Sequence, residues 1–295
     1  MAMRLLNHSK KLALMLLCMA LVFVGVIFVQ SRHLANSVPS HRLIYYDEKY
    51  FSEGVQSARQ NDSVQAANII GAVVPHHLLP GFIISDVFKR LQLQQPKRVI
   101  LIGPNHKEAG THKVITSQYG WETPFGVVTP DDTMIQDLVD RGTAHIDEPV
   151  MEDEHSVAGI MPYIKYYLPD ATVVPLILRG TIDRKEVESL AKTIAGLRDE
   201  DTIILGSVDF SHYLTSAVAE KNDKRTLALM QRFDYDQLFG LNNDYMDSPP
   251  SIVVFLMAMQ DLGKSDFSVL QHTNSGIIQH NGTMETTSYF SLLFQ

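Results

Sequence analysis

Cysteine is nearly missing from this chain: a single residue, Cys18, among 295. No internal disulfide can form, and a site built on several thiolates is excluded. A metal ion held by the body of the chain must rely on imidazole, carboxylate, backbone oxygen or water. Basic residues are also in short supply, 25 Lys and Arg against 33 Asp and Glu, for a formal net charge of -8. Past the first few dozen residues no run of Lys or Arg occurs. The electrostatic footprint that neutralises phosphates is lacking, so nucleic acid is excluded as a partner. The sequence holds no GxGxxG, no phosphate-binding loop and no nucleophile elbow. Internal repeats and low-complexity tracts are absent as well.

What remains is ordinary globular material. Hydrophobic residues make up 45% and charged residues 20%, which allows a sizeable core and argues against disorder. The length fits one large domain or two small ones, and one is the economical reading.

One long apolar run is present, LALMLLCMALVFVGVIFV at residues 12–29, without charge or proline. As a helix it would extend about 27 Å, close to the ~30 Å of a bilayer core. Arg4, Lys10 and Lys11 before it favour an N-terminus left in the cytoplasm, although Arg32 and Arg42 follow it. The competing reading is a cleaved signal peptide, whose apolar region would span ~7–15 residues. Its best small-x-small site, Ala35-Asn36-Ser37, lies beyond the end of the run. The expectation is a cytoplasmic tip and single-pass membrane anchor over 1–30, or else a signal sequence. A stalk over 31–66 and an extracytoplasmic domain over 67–295 would follow.

From residue 68 the pattern alternates. NIIGAVVP (68–75), KRVILIGP (97–104), TVVPLILRG (172–180) and TIILGSVD (202–209) are apolar, β-branched runs of strand length. Helical spacing appears at 81–94, 183–200, 217–233 and 251–263, and Asp183 with Glu186 three residues on forms a capping-box signature. Two strands, 267–276 and 287–294, close the chain. Apolar strands separated by helices predict an α/β fold: a mixed, mostly parallel sheet with helices on both faces, preceded by one N-terminal transmembrane helix. In such sheets the site lies beyond the carboxyl ends of the strands.

Three predicted strand ends deliver histidines: Val74-Pro75-His76-His77, Gly103-Pro104-Asn105-His106, and Val208-Asp209-Phe210-Ser211-His212. Imidazole is the commonest metal ligand because its lone pair is available near neutral pH. A lone strand-end histidine is usually a surface group; three at equivalent positions are harder to dismiss. His76 and His106 are the metal-ligand candidates, and His77 is expected to face away because adjacent extended residues alternate. In EDEHS (152–156) the acids suit a helix N-terminus, which leaves His155 either as part of that start or as a neutral group in the pocket. The turn-rich WETPFG (121–126) either walls the pocket or bridges two strands. Asn274-Ser275-Gly276 and His280 could close the site from another side.

Taken in order, VVPHH (73–77), ILIGPNH (100–106), WETPFG, EDEHS, VVPLILRG (173–180), GSVDFSHY (206–213) and the closing SYFSLLF (288–294) resemble the Memo family, also called AmmeMemoRadiSam system protein B. The likeness covers residues 68–295. That family is similar in fold to class III extradiol dioxygenases, which hold non-haem iron with two histidines and a carboxylate. The resemblance implies His76 and His106 at metal-ligand positions, iron or copper as the ion, and Asp209 and His212 lining the pocket, with His212 in the acid/base role. Two departures stand out. Where some relatives place a ligating cysteine near the C-terminus this chain reads NSGIIQHNG, with His280 the nearest substitute. Where relatives commonly carry a Cys-Gly pair ahead of the helix at 251–263, it reads MDSPPS (246–251).

Three functions follow. The first is a metal-dependent enzyme of redox or dioxygenase type, with His212, His155 and Asp209 as catalytic groups around His76, His106 and His280. The second is a non-enzymatic module that keeps the fold and holds a metal ion, a peptide or a partner at the old pocket; a small-molecule or peptide ligand is left open. The third is metal-free hydrolysis by Asp209 and His212, for which Ser211 is a weak nucleophile candidate.

Overall fold

The computed structural model describes residues 39–60 and 68–295. In chain order the strands are β1 (Ser40–His41), β2 (Gly71–Val74), β3 (Arg98–Pro104), β4 (Val114–Thr116), β5 (Gly120–Thr123) and β6 (Gly126–Pro130). They continue with β7 (His145–Ile146), β8 (Thr172–Leu178), β9 (Thr202–Ser207), β10 (His212–Leu214), β11 (Ser268–Asn274) and β12 (Thr286–Phe294). The helices are α1 (Glu48–Gln60), α2 (Gly81–Gln94), α3 (Asp132–Asp140), α4 (Glu148–Glu152), α5 (His155–Ala158) and α6 (Met161–Tyr167). After them come α7 (Arg184–Leu197), α8 (Ser216–Gln231), α9 (Tyr235–Phe239), α10 (Pro249–Asp261) and α11 (Ser275–Ile278).

The four apolar runs form the centre of the sheet. β8, β3, β9 and β2 lie side by side and parallel. β12 then pairs antiparallel to β2, and both β10 and β11 run antiparallel to β12. At the other edge β6 is parallel to β8, and the hairpin β5–β6 carries β1. The sheet is therefore mixed and mostly parallel at its core.

Side-chain alternation builds two hydrophobic layers. Ile100, Ile102, Val174, Leu176 and Ile204 point into a layer closed by α3, α7 and α10. Val99, Leu101, Val173, Ile203 and Leu205 point into the other, closed by α1, α2 and α6. Helices cover both faces, so the central strands need no polar residue. The capping box at α7 forms as its sequence suggests.

The compact unit begins at Ser40, inside the segment expected as a stalk. His41 in β1 is buried, with Nδ1 2.6 Å from Glu152 Oε2 and Nε2 3.0 Å from Glu148 Oε2. α1 packs on α2 through glycine: a Cβ at Gly54 would lie 2.5 Å from the carbonyl oxygen of Gly81. Only hydrogen at that position lets the two helices approach so closely.

One group of expectations is corrected. No helix among the described residues is long and apolar enough to cross a membrane. The longest, α8 with 16 residues, would reach about 24 Å and carries charges, whereas a span needs ~20 apolar residues. The transmembrane helix expected at 12–29, the membrane as a partner and the single-pass extracytoplasmic placement therefore have no support in the structure, and residues 12–29 themselves lie outside the described ones.

Two outcomes test this packing. Gly54→Ala should force the α1–α2 contact apart and cost ~1–3 kcal/mol, lowering Tm by several degrees; an unchanged Tm would show that α1 is not docked. Asp131, the N-cap of α3, accepts from Met134 N and pairs with Arg98. Burial opposes ionisation there, but the Met134 N–H and Arg98 hold the carboxyl below its ordinary value. A depressed carboxyl contributes stability above its unfolded value and loses it as pH falls through the folded one. Asp131→Asn should therefore cost ~1–2 kcal/mol near neutrality, and denaturant titrations should show the difference shrinking below about pH 4.

Candidate metal centre

Because β2, β3 and β9 are parallel neighbours, their carboxyl ends open at one edge. His76 follows β2, His106 follows β3 and Asp209 follows β9. Two more groups come from loops that cross this edge. Asp247 precedes α10, and its N–H donates to Asp209 O at 3.1 Å, while Asp209 N–H donates to Asp247 Oδ2 at 3.1 Å. His155 opens α5, which is drawn close because Gly103 leaves room for Ser156: a Cβ at 103 would lie 2.7 Å from Ser156 Oγ. Ser156 Oγ donates to Pro104 O at 2.8 Å, which fastens α5 to the end of β3.

The ring nitrogens converge. His76 Nε2 lies 3.2 Å from Asp247 Oδ2 and 3.7 Å from Asp209 Oδ2, and His106 Nε2 lies 3.6 Å from the same Asp247 oxygen. The His155 ring stacks on His106 at 4.0 Å between centroids. Among the described residues two groups could hold a metal ion, His76 with His106 and His155, and His76 with Asp209 and Asp247; within each, the donor atoms lie within 4.8 Å of one another.

Hydrogen bonding fixes which ring atoms carry protons. Glu154, the N-cap of α5, is 2% exposed. Its Oε1 sits 2.8 Å from His106 Nδ1, and its Oε2 accepts His106 N–H at 2.8 Å. A carboxylate can only accept, so His106 Nδ1 donates. Ser207 Oγ donates its one proton to Ser156 O at 2.6 Å, so the 3.3 Å contact with His76 Nδ1 must be donated by the imidazole. In the neutral rings both Nε2 atoms are then bare lone pairs facing a carboxylate oxygen. That arrangement is repulsive unless a proton or a metal ion lies between. With metal–ligand bonds of about 2.1 Å, neighbouring donors stand about 3.0–3.4 Å apart, close to the spacing found.

The electrostatics agree. Burial alone would lower His76, but Asp209 and Asp247 carry it above the ordinary imidazole value. His106 opposes its burial through Asp247 and Glu154 and rises to about 10. Burial, with His106 and His76 adding positive charge, pushes His155 down to about 4. Asp247 overcomes its burial through His106 and His76 and stays strongly acidic. One cation-seeking pocket and one neutral imidazole beside it result.

The remaining expectations divide. His212, in β10, borders a cavity of about 540 Å³ together with His106 and Asp247. Its Nδ1 is buried without a partner, as is Asp247 Oδ1. His280 is not brought in: it is exposed in the turn after α11 and belongs to neither donor group among the described residues. Asn274 caps α11. Ser211 donates to buried Asp223 at 2.7 Å. Trp121 lies in β5 against His41 at 4.5 Å between rings, and His77 turns to Tyr289 at 5.8 Å. Asp247 and Glu154 escaped the sequence reading. Asp247 stands within MDSPPS, the stretch where the resemblance led one to expect Cys-Gly, so its signal was the departure itself.

These features define a histidine–carboxylate pocket at the carboxyl edge of a mixed α/β sheet. Residues 46–292 match the family model described as Memo-like protein, and the chain belongs to that family. It is 30% identical over 237 residues to a MEMO1 family protein of Sulfolobus acidocaldarius, covering 76% of this chain and 82% of that one. It is 28% identical over 212 residues to another from Aquifex aeolicus, covering 69% and 78%. In fold it is similar to the solved structure of the uncharacterized protein JW3007 from Escherichia coli K12, with a TM-score of 0.54 and 11% identity. That likeness covers 77% of this chain and 100% of the other.

Glu154→Gln replaces an acceptor with an amide N–H that would face donors at His106 or Ser156. Thermal unfolding of metal-stripped protein should show a loss of ~1–3 kcal/mol; an unchanged Tm would contradict the hydrogen-bond assignment.

Proposed function

We propose that this Memo-like protein holds one divalent transition-metal ion, iron in preference to copper, on His76, His106 and Asp247, and performs redox chemistry on a small molecule. The observation that carries it is the convergence of two lone-pair nitrogens on one carboxylate oxygen. Two imidazoles and a carboxylate, with other positions free, suit non-haem ferrous iron better than the thiolate-containing or tetragonal sets that select copper. Bound iron would supply electron exchange and open positions for substrate or oxygen.

The protein's own groups have separable tasks. Glu154 and Ser207 hold the two imidazole rings with Nε2 turned inward, a supporting shell that keeps ligands oriented. Asp209 Oδ1 accepts His76 N–H at 3.1 Å, which fixes the backbone bearing that ring. His155, uncharged near neutrality, offers a lone pair for a substrate proton. His212 borders the cavity with an unpartnered Nδ1 and serves as the second proton-transfer group.

The reading of a binding module without chemistry draws its support from the altered MDSPPS segment and the missing cysteine. That segment supplies Asp247, whose Oδ2 faces both imidazoles, so the alteration brings a carboxylate donor into the pocket. Hydrolysis through Ser211 is disfavoured because its hydroxyl is buried and engaged by Asp223.

Anaerobic titration of stripped protein with ferrous iron should saturate at one ion per chain. His76→Ala, His106→Ala and Asp247→Asn should each weaken binding by two orders of magnitude or more, while Glu154→Gln costs roughly 10–100-fold. Unchanged affinity in the first three variants would refute the ligand set, and tighter uptake of copper under matched conditions would refute the metal preference.

A further inference from the structure

The cavity beside the cluster has a composition of its own. Leu178, Phe239, Leu241, Pro249 and Pro250 give it an apolar wall, and no Lys or Arg among the described residues lines it. Its two carboxylates have partners, although Asp247 Oδ1 is buried without one. Asp247 faces the imidazoles, and Glu108 accepts from Arg179 Nε at 3.2 Å and from Gly180 N–H at 2.6 Å. Arg179 is held by that pair and by Gly110 O, at 3.2 Å. Among the described residues, the polar groups left over are the His212 Nδ1, buried without a partner, the side-chain amides of Asn242 and Asn243, and the Tyr213 hydroxyl.

The rim also carries backbone cost. Glu108 and Tyr213, both lining the cavity, adopt positive φ of 49° and 58°, a region side-chain-bearing residues enter rarely and which clusters at functional sites.

We infer that this cavity is a binding subsite for an uncharged small molecule with an apolar body and an amide- or hydroxyl-type head, and that it rejects carboxylates and phosphates. The inference rests on the proposed metal pocket for its catalytic meaning, but its selectivity is a property of the cavity wall and holds in stripped protein. The apolar body packs on Pro249, Pro250 and Leu241, and the head reaches Asn243 or His212. An anion placed there would lose its water without gaining a counter-charge, a transfer that costs far more than for a neutral amide.

Three probes of one shape and different charge test it: phenylacetamide, phenylacetate and phenethylammonium. Each is titrated at pH 7 into the full chain, stripped and iron-loaded, with Kd read from NMR shifts. Phenylacetamide should bind at least about tenfold tighter than phenylacetate in both forms, a difference of about 1.4 kcal/mol. Asn243→Arg, at an exposed position, should raise phenylacetate affinity about tenfold and leave iron stoichiometry unchanged. Equal or tighter binding of phenylacetate to wild type, or no saturation by phenylacetamide in the millimolar range, overturns the inference. Charge selectivity in a chain that takes up no iron would refute the metal reading alone; one iron per chain without selectivity would refute the subsite alone.

Discussion

Two imidazole nitrogens aimed at one buried carboxylate oxygen are the constraint on which this structure turns. His76 and His106 each have the far side of the ring fixed, by Ser207 and Glu154, so neither can turn its lone pair away from Asp247. Carboxylates on two sides of His106 would be wasteful in a merely structural site, because burying charge costs several kcal/mol per ion. A cation between the donors would turn that repulsion into binding. Every other feature of the edge, from the close seat of α5 to the reciprocal bonds between Asp209 and Asp247, serves to hold the donors in place.

The sheet supplies the geometry at little cost in flexibility. Strands β2, β3 and β9 are buried on both sides and locked in register over several residues, so their ends are fixed relative to one another. Ligands that follow directly on such ends inherit that rigidity. Asp247 and His155 come from loops instead, and each is tied to a strand end by hydrogen bonds, Asp247 to Asp209 and Ser156 to Pro104.

The sequence made the parallel core legible because four apolar runs at strand length can be buried on both faces only in a helix-covered sheet. It also made His76, His106, His155 and Asp209 legible, since three of them sit directly after those runs. Short edge strands such as β1 and β5 were opaque: two to four residues carry no periodicity, and their pairing is decided by tertiary contacts such as His41 with Glu148 and Glu152. Asp247 was opaque for a related reason. It lies 171 residues from His76 in the chain, and nothing local marks an aspartate before a Ser-Pro-Pro helix start as a ligand rather than a cap. His280, the nearest substitute for a relative's cysteine by sequence, lies exposed in the turn after α11 and in neither donor group among the described residues.

The central claim concerns the identity of the atoms around one ion, and X-ray absorption at the iron edge of the loaded protein reads it directly. The account predicts two imidazole scatterers and oxygen donors at about 2.1 Å, with one imidazole lost in His106→Ala. A spectrum without imidazole scattering, or one unchanged by that substitution, would contradict it.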